Sequence, residues 1–333
     1  MKNKHFWLII IILAAFFFSV YLSYLQRDVN DTQERPPIKD QSKVLVVTSL
    51  FPWYDLVKEI GAERVEPVLL LSPGLDAHSF EPIPQDILRI SQSDLFLYTN
   101  NLMEPWARNL TRSLNDSKRI IALVGDPSLF ESDNVPDNEG NGNNNGDQDD
   151  DFHDDFHDDP HVWLDPLIME DLAFKVKELL SSVDPGGRLV YQANYERYLA
   201  SLELLDKDYR LTLSNCQNRD FIFAGHSAFS YLAKRYDLSY ESASGFSPNA
   251  ESSPKRLMVL NNKLEEKNLQ YLFTDILENQ QLAQSLSKSA KVEILNLKTG
   301  ANLSKADFNA NLSYIDIMRY NLEQLSKGLI CQE

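Results

Sequence analysis

Residues 188–214 read RLVYQANYERYLASLELLDKDYRLTLS, with no proline or glycine to interrupt them. Apolar residues recur in steps of three and four: Leu189, Tyr191 or Tyr195, Leu199, Leu202, Leu205, Tyr209 and Leu213. That spacing predicts one helix of about twenty-five residues, roughly 38 Å long. Asp184-Pro185-Gly186-Gly187 stops the preceding amphipathic segment, 167–182, just before it. A helix this long can cross between two lobes, and the sequence on either side supplies them.

Upstream, short apolar runs alternate with helical patterns. Strands are expected at 43–50, 65–71, 95–98 and 119–124, and helices at 53–60 and 84–91. Downstream a second cycle places strands at 221–223, 240–244, 269–274 and 292–297. Its helices fall at 229–236, 254–267, 283–289 and 315–329. Strands alternating with helices imply parallel sheets with helices on both faces. The fold class expected is therefore α/β, with two lobes joined by one long helix. The divisions are 1–25 as a signal or anchor and 26–42 as a polar tether. An N-terminal lobe spans 43–184, the linking helix 185–214 and a C-terminal lobe 215–333.

The chain has 333 residues and a formal net charge of −17. Twelve of its carboxylates lie between Glu131 and Pro160, a run without Lys or Arg that ends DQDDDFHDDFHDDP. The acidity thus belongs largely to one segment. Like charge at that density cannot form a core, and no basic patch suggests nucleic acid. Carboxylates with His153 and His157 are what divalent cations seek. The run reads as an accessory metal-contacting loop or a solubilising spacer, and any affinity there should be weak because ordering it costs entropy.

Lys2 and Lys4 precede an uncharged apolar stretch, Phe6 to Leu25, long enough to span a bilayer. Ser19-Val20-Tyr21 makes a poor cleavage site and no Cys follows to carry a lipid, so an uncleaved anchor leads a cleaved signal. Either predicts export, with N-terminal membrane association. An oxidising compartment would let Cys216 and Cys331 pair, the alternative being two buried thiols.

His78 follows the second strand, His226 follows the strand at 221–223, and His161 follows the acidic run. Ligands of parallel α/β sheets bind at the carboxyl ends of strands, so these imidazoles can converge between the lobes. Three imidazole nitrogens with one open position suit Zn²⁺, whereas Mn²⁺ wants more oxygen. The neutral ring is the ligand, and with a reference pKa of about 6.5 occupancy should fall below about pH 6. Glu81 and Asp165 are the acids expected to orient the rings, Asp165 having a helix cap before Pro166 as its alternative role.

Gly74-Leu75-Asp76-Ala77-His78-Ser79-Phe80-Glu81-Pro82 resembles the G-x-x-P-H-x-(Y/F)-E-P segment of the zinc- and manganese-binding solute receptors of ABC importers, with Ala77 where proline is usual. His161-Val162-Trp163-Leu164-Asp165-Pro166 is similar to that family's H-x-W-L-D-P segment. Gly225 to Leu232, followed by Gly245-Phe246-Ser247-Pro248, resembles its third ligand region. The resemblance covers about 43–330. It implies His78, His161 and His226 as metal ligands, an acidic His-rich loop before the second, and an ABC-type membrane permease as partner of a monomeric receptor. The region 297–302 carries no acid where manganese-type members place one. That favours zinc and leaves the fourth position to water, with Asp76, Glu251 or Asp275 as alternatives. The other readings are a manganese receptor, a zinc hydrolase, for which no HExxH or comparable pairing exists, and a surface metal-buffering or adhesion protein.

Overall fold

The computed structural model describes residues 43–114, 119–125, 159–246 and 252–332. The apolar stretch 6–25, His153, His157 and nearly all of the acidic run lie outside the described residues. Among those described, no helix is long and apolar enough to cross a membrane.

Val44–Glu333 forms one compact unit containing two four-stranded parallel sheets. In the first, β1 (Val44–Thr48), β2 (Val65–Leu69), β3 (Leu95–Tyr98) and β4 (Ile120–Ala122) take the order β2-β1-β3-β4. In the second, β5 (Asp220–Phe223), β6 (Ser239–Ser242), β7 (Tyr271–Thr274) and β8 (Glu293–Asn296) repeat that order as β6-β5-β7-β8. The likeness of the two halves follows from their matching element order. Both inner strands are covered on two faces, which is why β1 and β3 read as unbroken apolar runs.

The helices are α1 (Phe51–Gly61), α2 (Pro84–Gln92), α3 (Pro105–Leu114), α4 (Pro166–Val183), α5 (Arg188–Ser214), α6 (Ser230–Arg235), α7 (Pro254–Glu266), α8 (Gln280–Ala290), α9 (Lys305–Asn309) and α10 (Tyr314–Gly328). Sequence spacing missed α3 and the short α9. Helix α3 reads PWARNLTRSL, and its sparse apolar positions, among them the buried Ala107 and Leu110, give little periodic signal.

Helix α5 has the extent expected, but its buried stripe is Tyr191, Asn194, Tyr198, Leu202, Leu205, Tyr209 and Leu213. Leu189 is 84% exposed. Asn194 belongs to the buried face because its amide donates to the Ile60 carbonyl near the end of α1. At the other end Tyr209 donates to the Met318 carbonyl of α10. One helix thus bonds to elements of both halves. The main core is continuous across them, taking in Val46, Trp53, Trp163, Leu202, Phe223 and Tyr314. Each large apolar side chain buried there contributes about 1.5–3 kcal/mol.

Direct hydrogen bonds also join the halves. Phe51 N donates to Ala301 O, and Tyr314 N donates to the buried Asp55 carboxylate. Cys216 and Cys331 form a disulfide, and flanking backbone pairs (Gln217 N to Ile330 O, Gln332 N to Asn215 O) clasp the end of α5 to the chain beyond α10.

Candidate metal centre

His78, His161 and His226 arrive at one point from three segments. The loop after β2 carries His78, and its turn needs Gly74, whose φ of +87° is costly for other residues. Gly74 N also donates to Leu303 O at 2.7 Å. Asn302 reinforces this clasp, its amide donating to the carbonyls of Ser72 and Leu75 at 2.9 and 2.8 Å. Within the loop, Asp76 accepts the backbone N–H of His78 and of Ser79.

His161 starts the 3-10 turn Val162–Leu164, which leads into α4. Its ring meets Trp163 edge-on at 5.2 Å, and Trp163 packs edge-on against Trp53 at 5.9 Å. Trp163 Nε1 donates to Thr299 O, so the indole that meets His161 is pinned to the loop after β8. His226 follows β5 through Ala224 and Gly225.

The ring centroids are 5.4 Å apart for His78–His161, 5.2 Å for His78–His226 and 4.9 Å for His161–His226. The Nε2 atoms of His161 and His226 face each other at 3.1 Å. Two nitrogens on a tetrahedral Zn²⁺ at 2.0–2.1 Å lie about 3.3 Å apart, so this pair has the spacing of two ligands. One ligand atom from each of the three residues falls within 4.8 Å of the others. His78 Nε2 is buried with no hydrogen-bond partner. An orphaned buried nitrogen costs free energy, and a cation would satisfy it. A cavity of about 60 Å³ opens beside the cluster, lined by Asp76, His78, His226, Glu278, Thr299 and Asn302 among others.

Burial holds two of the rings in the neutral, ligating form. It lowers His78 to about 2, with further lowering by His161 and His226. It also lowers His161 well below its ordinary value, with His226 adding to the effect. The onset of protonation near pH 6, expected for solvated imidazoles, is therefore moved to lower pH at these two positions.

The acids that orient the rings differ from those expected. Glu81 is exposed. Asp165 caps α4 by accepting Leu167 N at 2.9 Å and pairs with Arg235. The carboxylates on the rings are Asp159, 2.8 Å from His161 Nδ1, and Glu278, 2.8 Å from His226 Nδ1. Asp159 also accepts the backbone N–H of His161 at 2.9 Å, and burial pushes its carboxyl up to about 7. Asp159 thus takes the last acid of the charged run out of any solvated spacer and into the centre. Glu278, separated by 52 residues from His226, carried no local signal.

Of the alternatives for a fourth ligand, Asp76 is engaged as described. Asp275 is buried and accepts from Leu277 N, Thr299 N and Thr299 Oγ1. Glu251 lies outside the described residues.

Two linked parallel α/β halves around converging imidazoles define a solute-binding receptor of the metal-binding type. The family described as zinc-uptake complex component A, periplasmic, matches residues 46–328. The chain belongs to this ZnuA family, whose members are uptake components and not enzymes. It is 32% identical over 290 residues to the high-affinity zinc uptake system protein ZnuA of Bacillus subtilis, covering 86% of this chain and 88% of that one. It is 31% identical over 292 residues to the zinc-binding lipoprotein AdcA of Streptococcus pneumoniae, covering 86% of this chain but only 56% of the longer relative. Among solved structures, the Zn(II)-bound ZnuA-like domain of Streptococcus pneumoniae AdcA superposes with a TM-score of 0.69 at 30% identity, over 86% of this chain and 99% of that domain.

Proposed function

We propose that this protein is the extracytoplasmic receptor of a zinc importer, binding Zn²⁺ through His78, His161 and His226 and passing it to an ABC-type membrane permease. The convergence of those three imidazoles from separated segments carries the reading. Relatives named for zinc uptake and zinc binding support it. A nitrogen-rich set, with the His78 and His161 rings held neutral by burial, favours Zn²⁺ over Mn²⁺, which prefers oxygen donors and binds N/O/S sites more weakly. The apolar stretch 6–25 would hold the receptor at the membrane as a monomer, with 26–42 as tether. The lobes are taken as 43–184 and 215–333, joined through 185–214.

Metal-free protein given equimolar Zn²⁺ and Mn²⁺ should retain one tight Zn²⁺ per chain, read by elemental analysis after desalting. Preferential retention of Mn²⁺ would defeat the zinc assignment.

His153 and His157 with the neighbouring carboxylates form an accessory, weak zinc-contacting loop in this proposal. Deleting 131–157 should leave the tight site intact and remove only weak stoichiometry in a calorimetric titration. Extending the deletion through Asp159 should weaken the tight site as well, because that acid touches His161. Loss of tight binding with the shorter deletion would assign the loop a primary role instead.

A further inference from the structure

We propose that Glu278 and Asp159 are positioning residues that make His226 and His161 a preformed pair of ligands, leaving His78 as the adjustable third. The proposal rests on the three-histidine reading above and deepens it.

Each of the two carboxylates grips its histidine twice. Glu278 Oε1 lies 2.8 Å from His226 Nδ1, and Oε2 accepts the backbone N–H of His226 at 3.0 Å. Asp159 Oδ1 lies 2.8 Å from His161 Nδ1 and accepts the backbone N–H of His161 at 2.9 Å. A carboxylate on Nδ1 fixes the tautomer with its proton there and leaves the Nε2 lone pair free for metal. The two Nε2 atoms so freed are those that face each other at 3.1 Å.

The chain is shaped to admit Glu278. A Cβ on Gly225 would lie 2.3 Å from Glu278 Oε2 and 2.4 Å from the Phe223 ring. Glycine before His226 therefore keeps open the space that the carboxylate fills. Asp275 shapes the turn that presents Glu278, its side chain accepting Leu277 N and its carbonyl accepting Glu278 N. His78 differs from the other two, because Asp76 binds its backbone and not its ring.

The test compares wild type, Glu278→Gln, Asp159→Asn and Gly225→Ala by chelator competition for Zn²⁺, with His161→Ala as reference. The metal-free melting temperature of each variant and the visible spectrum of its Co²⁺-substituted form are recorded alongside. Removal of an outer carboxylate typically weakens metal binding by about 10–100-fold. That loss is expected in Glu278→Gln and Asp159→Asn, with the Co²⁺ band shape retained because neither acid is a ligand. Gly225→Ala should reproduce the Glu278→Gln affinity without altering any charge. Affinities within about threefold of wild type in both carboxylate variants would overturn the proposal. So would a Glu278→Gln spectrum showing loss of a ligand, which would make that acid a direct donor. A melting temperature that falls in step with affinity, and affinity recovered when only folded protein is counted, would reduce both acids to structural roles and also overturn it. Wild-type affinity in His161→Ala would instead bring down the three-histidine reading itself.

Discussion

His161→Ala is expected to lower zinc affinity by about two to three orders of magnitude, and by more than His78→Ala. A tight four-ligand zinc site is worth about 10–16 kcal/mol, or about 2.5–4 per ligand, and each 1.4 kcal/mol is tenfold. His161 should fall at the upper end of that range. Its ring is fully buried and fixed between Asp159 and Trp163, so no reorganisation is needed to ligate. Its removal also leaves the Asp159 carboxyl buried without the imidazole; that cost of about 1–3 kcal/mol applies with or without metal, so it lowers the metal-free melting temperature rather than the affinity. His78 is only partly buried, sits on the cavity side and lacks a carboxylate on its ring, so ordering it offsets part of what it contributes. Chelator competition gives the ranking directly. A second readout is the rise in melting temperature with added Zn²⁺, since a ligand at 100 times its Kd stabilises by about 2.7 kcal/mol. That rise should vanish for His161→Ala at zinc concentrations that still protect His78→Ala. Equal affinity for all three single histidine variants and wild type would remove the receptor reading.

The convergence of His78, His161 and His226 was legible because each stands in a local motif, and two of them, His78 and His226, follow strands, where topology directs ligands. Helix α5 was legible for a different reason: twenty-seven residues without a breaker leave little alternative. Its rotational phase was not. A polar Asn194 on the buried face, satisfied by a carbonyl 134 residues away, is invisible to a hydrophobic pattern. The same limit hid Glu278. Adjacency suggested Glu81 and Asp165, but the structure uses one for nothing buried and the other as a helix cap. Asp159 was passed over for the opposite reason. It sits two residues before His161 but at the end of a charged run, where a carboxylate reads as solvated. Side-chain burial decided both roles, and burial of a polar residue is a tertiary fact.

Replacing Cys216 and Cys331 together by Ser is expected to cost about 4–5 kcal/mol of folding stability. The bond closes a loop with a sequence separation of 115, which takes in β5 through α10. On chain entropy, a loop of about 100 residues forfeits about 4.7 kcal/mol when the cross-link is lost. Whole domains are stable by only about 5–15 kcal/mol, so the loss is a large fraction. It should lower the melting temperature of the metal-free protein by on the order of 10 °C. The backbone pairs beside the bridge, Gln217 N to Ile330 O and Asn218 N to Leu329 O, preserve the native alignment but do not restrain the unfolded chain. Neither cysteine lines the histidine cavity, so zinc affinity of the folded variant should stay within a few-fold of wild type. Added zinc should then recover part of the lost melting temperature by mass action. A shift below about 2 °C would mean that the unfolded chain is already held compact without the bridge, since denatured-state structure is what reduces the entropic gain.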